Sequence, residues 1–203
     1  IEALTAVTDV LPLHGMRKTI ADRMMQSVQS TAPVTLMTEA DVTDTVRLRQ
    51  RLLSEWRSNH IRPLDLDLIV KATAASLREH SRLNAMLVDD EIKLLKDVNV
   101  GVAMAVTDGL VVPVIRQADE KDLLSVAREI RALADRSRKG ELSMDDMMDA
   151  TFTVTSLAGY GIDVFTPIID PPQVAILGVG RIVEKPAVME GEVVVVPGSA
   201  ADS

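Results

Sequence analysis

The chain has 203 residues, 47% hydrophobic and 26% charged, so it can bury one substantial core, and no Gly/Ser-rich or Pro-rich linker divides that core in two. A net charge of -8 argues against a general nucleic-acid binder, which needs a basic surface, so any phosphate the chain holds must meet a local basic cluster, and zero cysteines exclude disulfides and thiolate nucleophiles. No apolar run reaches the roughly 18 residues of a membrane span and the start lacks a basic signal-peptide region, so the expectation is a soluble, unexported, cytoplasmic protein with no membrane partner.

In chain order, Arg17 to Ser30 reads as an amphipathic helix, with Ile20, Met24 and Val28 on one stripe and Lys18 and Asp22 on another. After Pro33 the alternation of VTLMTEADV predicts a half-buried strand, with Val34, Leu36, Ala40 and Val42 on one side and Glu39 and Asp41 on the other. Thr43 or Asp44 can cap a helix to about Ser58. Asp65 or Asp67 can cap another, whose buried face is Leu68, Ile69, Ala72 and Leu77. Leu87 to Leu95 reads as a short hairpin turning at Asp89 and Asp90.

The strongest hairpin signal follows: VNVGVAMAV, the turn Thr107-Asp108-Gly109, then LVVPVI. Val98, Val100, Val102, Met104 and Val106 share one face and Gly101, Ala103 and Ala105 the other, so a helix or a neighbouring subunit is expected against the small-residue side. Asp119 or Asp122 starts a helix with Leu123, Val126, Ala127, Ile130 and Leu133 as its core stripe, ending in Arg136, Arg138, Lys139 and Gly140. Ser143 caps one more short helix. Strands Thr151 to Ser156 and Gln173 to Arg181 precede a last hairpin at Glu190 and Gly191 with a strand from Glu192 to Val196. The connections are too mixed for a doubly wound fold; a mixed sheet covered by helices is expected. Trp56, Tyr160, Phe152 and Phe165 stand out in an otherwise aliphatic chain.

These segments carry a resemblance. GMRKTIADRM at Gly15 to Met24, RLNA at Arg82 to Ala85, the hairpin VNVGVAMAVTDGLVVPVI, TFTVTSLAGYG and FTPIIDPPQVAILGVGRI, in that order, resemble the catalytic domain of the dihydrolipoamide acyltransferases, core subunits of 2-oxo acid dehydrogenase complexes. The resemblance implies an α/β two-layer sandwich with a mixed β-sheet covered by helices, similar to chloramphenicol acetyltransferase. It implies transfer of an acyl group between a dihydrolipoyl arm, carried on a separate lipoyl domain, and coenzyme A. It further implies a channel between subunits of a homotrimer, a larger core assembly, and decarboxylase and dihydrolipoamide dehydrogenase subunits as partners.

In the family the last strand leads into a His-x-x-x-Asp-Gly motif and a final helix, whereas here Val196 is followed by PGSAADS. None of His14, His60 and His80 begins that motif, and Pro33-Val34 stands where the family often has a histidine after the proline. The expectation is therefore an acyltransferase domain over residues 1–203 that is C-terminally incomplete, lacks lipoyl and peripheral-subunit-binding domains, and has little or no activity as it stands. Its uncovered apolar sheet edge is expected to favour aggregation or strand exchange.

A coenzyme A thiol resembles a cysteine thiol, with a pKa of about 8.5, and needs a general base to attack a thioester. The resulting oxyanion needs a fixed donor. By resemblance a hydroxyl fills that role, Thr155 or its neighbour Ser156; strand geometry turns the two to opposite faces, so only one serves, and the resemblance favours Thr155. Phe165 reads equally as core or as channel wall. Arg17, with Lys18 and Arg23, reads as a solvated helix face or as a contact for the coenzyme's phosphates. Nothing has metal-ligand spacing. The other readings are a non-catalytic core or scaffold subunit of such a complex and, disfavoured by AILGVGRI and FTPII, an antibiotic acetyltransferase.

Overall fold

The computed structural model describes residues 7–107, 109–189 and 191–202. Helix α1 spans Gly15–Ser30, strand β1 Met37–Asp41, α2 Thr43–Glu55 and α3 Asp65–Glu79. A hairpin of β2 (Ala85–Val88) and β3 (Glu91–Leu94) follows, then β4 (Val100–Val102), β5 (Met104–Val106), β6 (Gly109–Val111) and β7 (Val114–Ile115). Helix α4 (Leu123–Lys139), β8 (Phe152–Ser156), β9 (Ile176–Met189) and β10 (Glu192–Asp202) complete the elements. The main sheet has the order β1-β10-β9-β8-β4-β7; β8 runs parallel to β4 and β9, and the other pairings are antiparallel. The expected mixed sheet covered by helices is what forms.

Its core lies between the sheet's centre and two helices. Val100 and Val102 of β4, Phe152 and Val154 of β8 and Val179 of β9 pack with Val70, Ala74 and Leu77 of α3 and Val126, Ile130 and Leu133 of α4. A second cluster joins Leu52, Trp56, Leu68 and Ala127 under α2. Helix α4 follows its sequence signals closely: Asp122 accepts the Ser125 N–H at 2.6 Å, and Gly140 closes the end at φ 70°. Burial of Asp67 is offset by a two-pronged pairing with Arg131, at 2.7 Å for both contacts, while its carboxylate also accepts the Leu64 N–H at 2.8 Å.

Several expectations are corrected. The buried face of α3 runs through Val70, Ala74 and Leu77, and Ala72 is exposed: several apolar residues in succession left the facing row open, and packing against α4 selects it. On α1, Val28 is exposed and Ser27 is buried, because its hydroxyl donates to the Ile169 carbonyl at 2.6 Å. Thr43 and Asp44 do not cap α2; Asp41 accepts the Thr43 N–H at 2.9 Å.

The long hairpin is split. The Ala103 N–H turns to the Val154 carbonyl and Pro113 offers no N–H, so β4 and β7 pair in the main sheet while β5 and β6 form a separate ribbon. Asp108 and Glu190, both assigned to turns, lie outside the described residues. Within the chain, Gly101 is packed by Val112, Thr153 and Ala150, none of them in a helix. The turn at Asp89 and Asp90 has positive φ at both residues, 53° and 59°, as a tight two-residue hairpin requires. Strand β1 forms but is exposed throughout, and β10 continues past Val196 to Asp202, with Pro197 accepting the Val42 N–H through its carbonyl. The short 3-10 turn Asp145–Met147 has Met144, not Ser143, at its cap position; Ser143, one residue earlier, exchanges hydrogen bonds with Asp146, whose carboxyl these bonds hold below the ordinary value.

Candidate functional site

The sheet has two unlike faces, and strand register assigns each residue to one. Gly101 lies opposite Thr153, Thr153 opposite Ile176, and Thr155 opposite Gly178. Register partners in neighbouring strands project to the same side, and successive residues alternate. Gly101, Thr153, Thr155, Ile176 and Gly178 therefore share the face turned away from α3 and α4. Val154 and Val179 point into the helix-covered core, and Ser156, opposite Val179, belongs to that side.

Over the first face runs the segment 157–175. At Gly178 an added Cβ would sit 3.2 Å from Phe165 Cζ and 3.3 Å from Cδ and Cγ of Pro167, so the aromatic ring rests directly against the strand beside Thr155. The hydroxyls nearby differ in engagement. Thr153 donates to Gln173 Oε1 at 2.8 Å, and Ser156 Oγ accepts the Ala158 N–H at 3.4 Å, bracing the turn that follows β8. Thr155 is half-buried, and no hydrogen bond to another described residue engages its hydroxyl.

The segment is fastened at both ends. Near its start, Leu157 N–H donates to the Val179 carbonyl at 3.1 Å, Gly161 turns at φ 74°, and Arg181 N–H donates to the Ile162 carbonyl at 2.9 Å. The Arg181 guanidinium pairs with Asp163, which holds the Asp163 carboxyl below its ordinary range and raises Arg181. Near its end, Gln173 is buried against Thr153, and the Pro172 carbonyl accepts the Leu87 N–H at 2.9 Å. Asp170 is half-buried, and desolvation raises its pKa against the opposing pull of Arg23.

Of the residues singled out in the sequence, Thr155 and Phe165 both adjoin Gly178, Thr155 as its register partner and Phe165 through its ring. Arg17 does not join them: it lines an open hollow of about 510 Å³ with Ile20, Ala21, Val106 and Thr107, whose lining includes neither Thr155 nor Phe165. His14 precedes α1, His60 closes the 3-10 turn after α2 in left-handed geometry, and His80 ends α3. The RLNA motif has a structural role through Asn84, whose amide donates to the Leu95 and Asp97 carbonyls and whose Oδ1 accepts from Thr151. Among the described residues no cluster of His, Asp or Glu could hold a metal ion, and no helix is long and apolar enough to cross a membrane. Gly178 is the site residue that sequence reasoning missed; a glycine inside an apolar strand pattern was the available signal of close approach.

This fold belongs to a known class. Residues 5–199 match the family of 2-oxoacid dehydrogenases acyltransferase (catalytic domain), and the chain belongs to that family. It is 38% identical, over 91% of its length, to the dihydrolipoyllysine-residue acetyltransferase component of the pyruvate dehydrogenase complex of Bacillus subtilis, and spans 42% of that protein. It is 32% identical over 92% of its length to the Haemophilus influenzae succinyltransferase component of the 2-oxoglutarate dehydrogenase complex, and spans 46% of it. The chain thus covers less than half of these curated relatives. Among solved structures, it superposes on a probable dihydrolipoamide acetyltransferase from Listeria monocytogenes with a TM-score of 0.92 at 35% identity, covering 96% of this chain and 83% of that one. It also superposes on the dihydrolipoamide acetyltransferase of Azotobacter vinelandii, in which a serine, a histidine and an asparagine were investigated for roles in catalysis, with a TM-score of 0.93 at 31% identity over 97% of this chain and 82% of that one.

Proposed function

We propose that this chain is the core domain of a dihydrolipoamide acyltransferase, moving an acyl group between a dihydrolipoyl arm and coenzyme A. Family membership supports the reaction class, and one observation carries the assignment of the site: the half-buried Thr155 hydroxyl, free of described hydrogen-bond partners, beside the Phe165 ring on the face opposite the helices. A thiolate attacking a thioester carbonyl places a negative charge on the carbonyl oxygen, which a fixed O–H donor stabilises. Thr155 has a hydroxyl available for that task. Ser156 faces the helices and braces a turn, which argues against it. Phe165 then forms part of the wall along which the substrates lie. Arg17, exposed on α1, is the proposed contact for the coenzyme's phosphates, which an acidic chain must meet with local positive charge.

The partners follow from the same reading: a homotrimer within a larger core, a lipoyl domain delivering the arm, and decarboxylase and dihydrolipoamide dehydrogenase subunits, all in the cytoplasm. A core of this kind is the subject of a structure of the cubic core of the pyruvate dehydrogenase multienzyme complex, which this chain matches with a TM-score of 0.93 at 30% identity over 98% of its length and 83% of that chain. The test is transfer from acetyl-coenzyme A to free dihydrolipoamide by the product of the complete natural reading frame. Catalytic formation of acetyl-dihydrolipoamide supports the reading; an intact trimer with no transfer would instead favour a scaffold subunit.

A further inference from the structure

Gly178 poses a question that backbone conformation does not answer, because its φ is not among the positive values that favour glycine. It sits inside β9, between Thr155 of β8 and Asp202 of β10, where glycine weakens a strand. What its missing side chain provides is room. Phe165 Cζ and two Pro167 carbons occupy the volume that a Cβ would crowd, at 3.2 and 3.3 Å. Gly159 and Gly161, in the turn before Phe165, meet nothing within 4 Å.

We infer that Gly178 is a positioning residue, letting the Phe165 ring sink against the sheet beside Thr155 and so setting the size of acyl group that the site admits. The inference rests on the acyltransferase reading. A methyl group at position 178 would have to lift the ring by a few tenths of an ångström. The ring cannot escape sideways freely, because the Arg181–Asp163 pair and the Ile162–Arg181 backbone bond fasten the chain just before it, and Pro167 is packed just after it. Lifted from the sheet, the ring narrows the space over Thr155. A branched acyl group loses more from this than an acetyl group does.

The experiment is calorimetric titration of acetyl-coenzyme A and isobutyryl-coenzyme A into the full chain, the Gly178→Ala variant and the Gly178→Ala/Phe165→Leu double variant, with a crystal structure of the single variant. The ratio of the two affinities cancels the shared coenzyme. In Gly178→Ala the ratio is expected to shift toward acetyl by about tenfold, the size expected of a methylene-scale change in a pocket. Shortening the ring to leucine should return it to within about threefold of the parent. An unchanged ratio in the single variant, no rescue in the double, or a ring in its original position overturns the inference. Failure of both thioesters to bind the parent would overturn the acyltransferase reading and the size-selection role with it, while the ring position in the variant would still decide the packing claim.

Discussion

The two halves of the main sheet obey different rules. At its centre, helices bury one side of β4, β8 and the start of β9; on the other side the segment carrying Phe165 covers β8 and β9, and Val112 and Ala150 pack on Gly101 of β4. Beyond the stretch of β10 that pairs with β1, β9 and β10 form an arm on which Val188, Val193 and Val195 are 72, 73 and 68% exposed. Valine is common to both regions, so composition alone does not decide burial. What decides it is whether another layer lies over the strand, and the candidate site lies in the region where both faces are covered.

Substitutions in the two regions should separate sharply in urea denaturation. Leu133→Ala, in the α4 core row, should cost about 3 to 5 kcal/mol through lost burial and a cavity. Asp67→Ala comes next, at about 2 to 3 kcal/mol: it breaks a charged two-pronged pair and the bond to Leu64, but Arg131 is 28% exposed and recovers some hydration. Asp170→Asn tests the segment over the site. Because burial raises the folded-state pKa of Asp170, the wild type is favoured below the unfolded value of about 3.8 and loses that contribution as pH rises through the folded value. The variant should therefore gain relative to wild type on going from pH 3 to pH 7 in melting experiments; a constant offset would contradict this. Val193→Ala on the arm should stay within about 0.5 kcal/mol in the isolated chain. A loss there as large as that of Leu133→Ala would show that the arm is covered in solution.

Features that depend on a few adjacent residues were legible in the sequence. Asp122 and Gly140 bracket α4, and Asp89 and Asp90 make their hairpin. Features that depend on distant partners were not. Ala72 and Ala74 are indistinguishable until α4 packs against one of them, and the alternation of β1 gives no sign that residues on both its faces are exposed in the chain. The site divides in the same way. Thr155 and Ser156 are adjacent and chemically alike, and only pairing with Gly178 and Val179, more than twenty residues later, assigns them to opposite environments. That pairing also sets Thr155 beside Gly178, against which the Phe165 ring packs, an arrangement that spacing along the chain does not reveal.

The most direct measurement compares Thr155→Val, Thr155→Ser and Ser156→Ala, each introduced into the product of the complete natural reading frame, in acyl transfer between acetyl-coenzyme A and dihydrolipoamide, with each variant first shown to keep the parent's melting profile. With Thr155 as the oxyanion donor, the valine variant should lose roughly 10²–10³ in kcat, the serine variant should retain most of the rate, and Ser156→Ala should change it little. A large loss from Ser156→Ala with an active Thr155→Val would contradict the account.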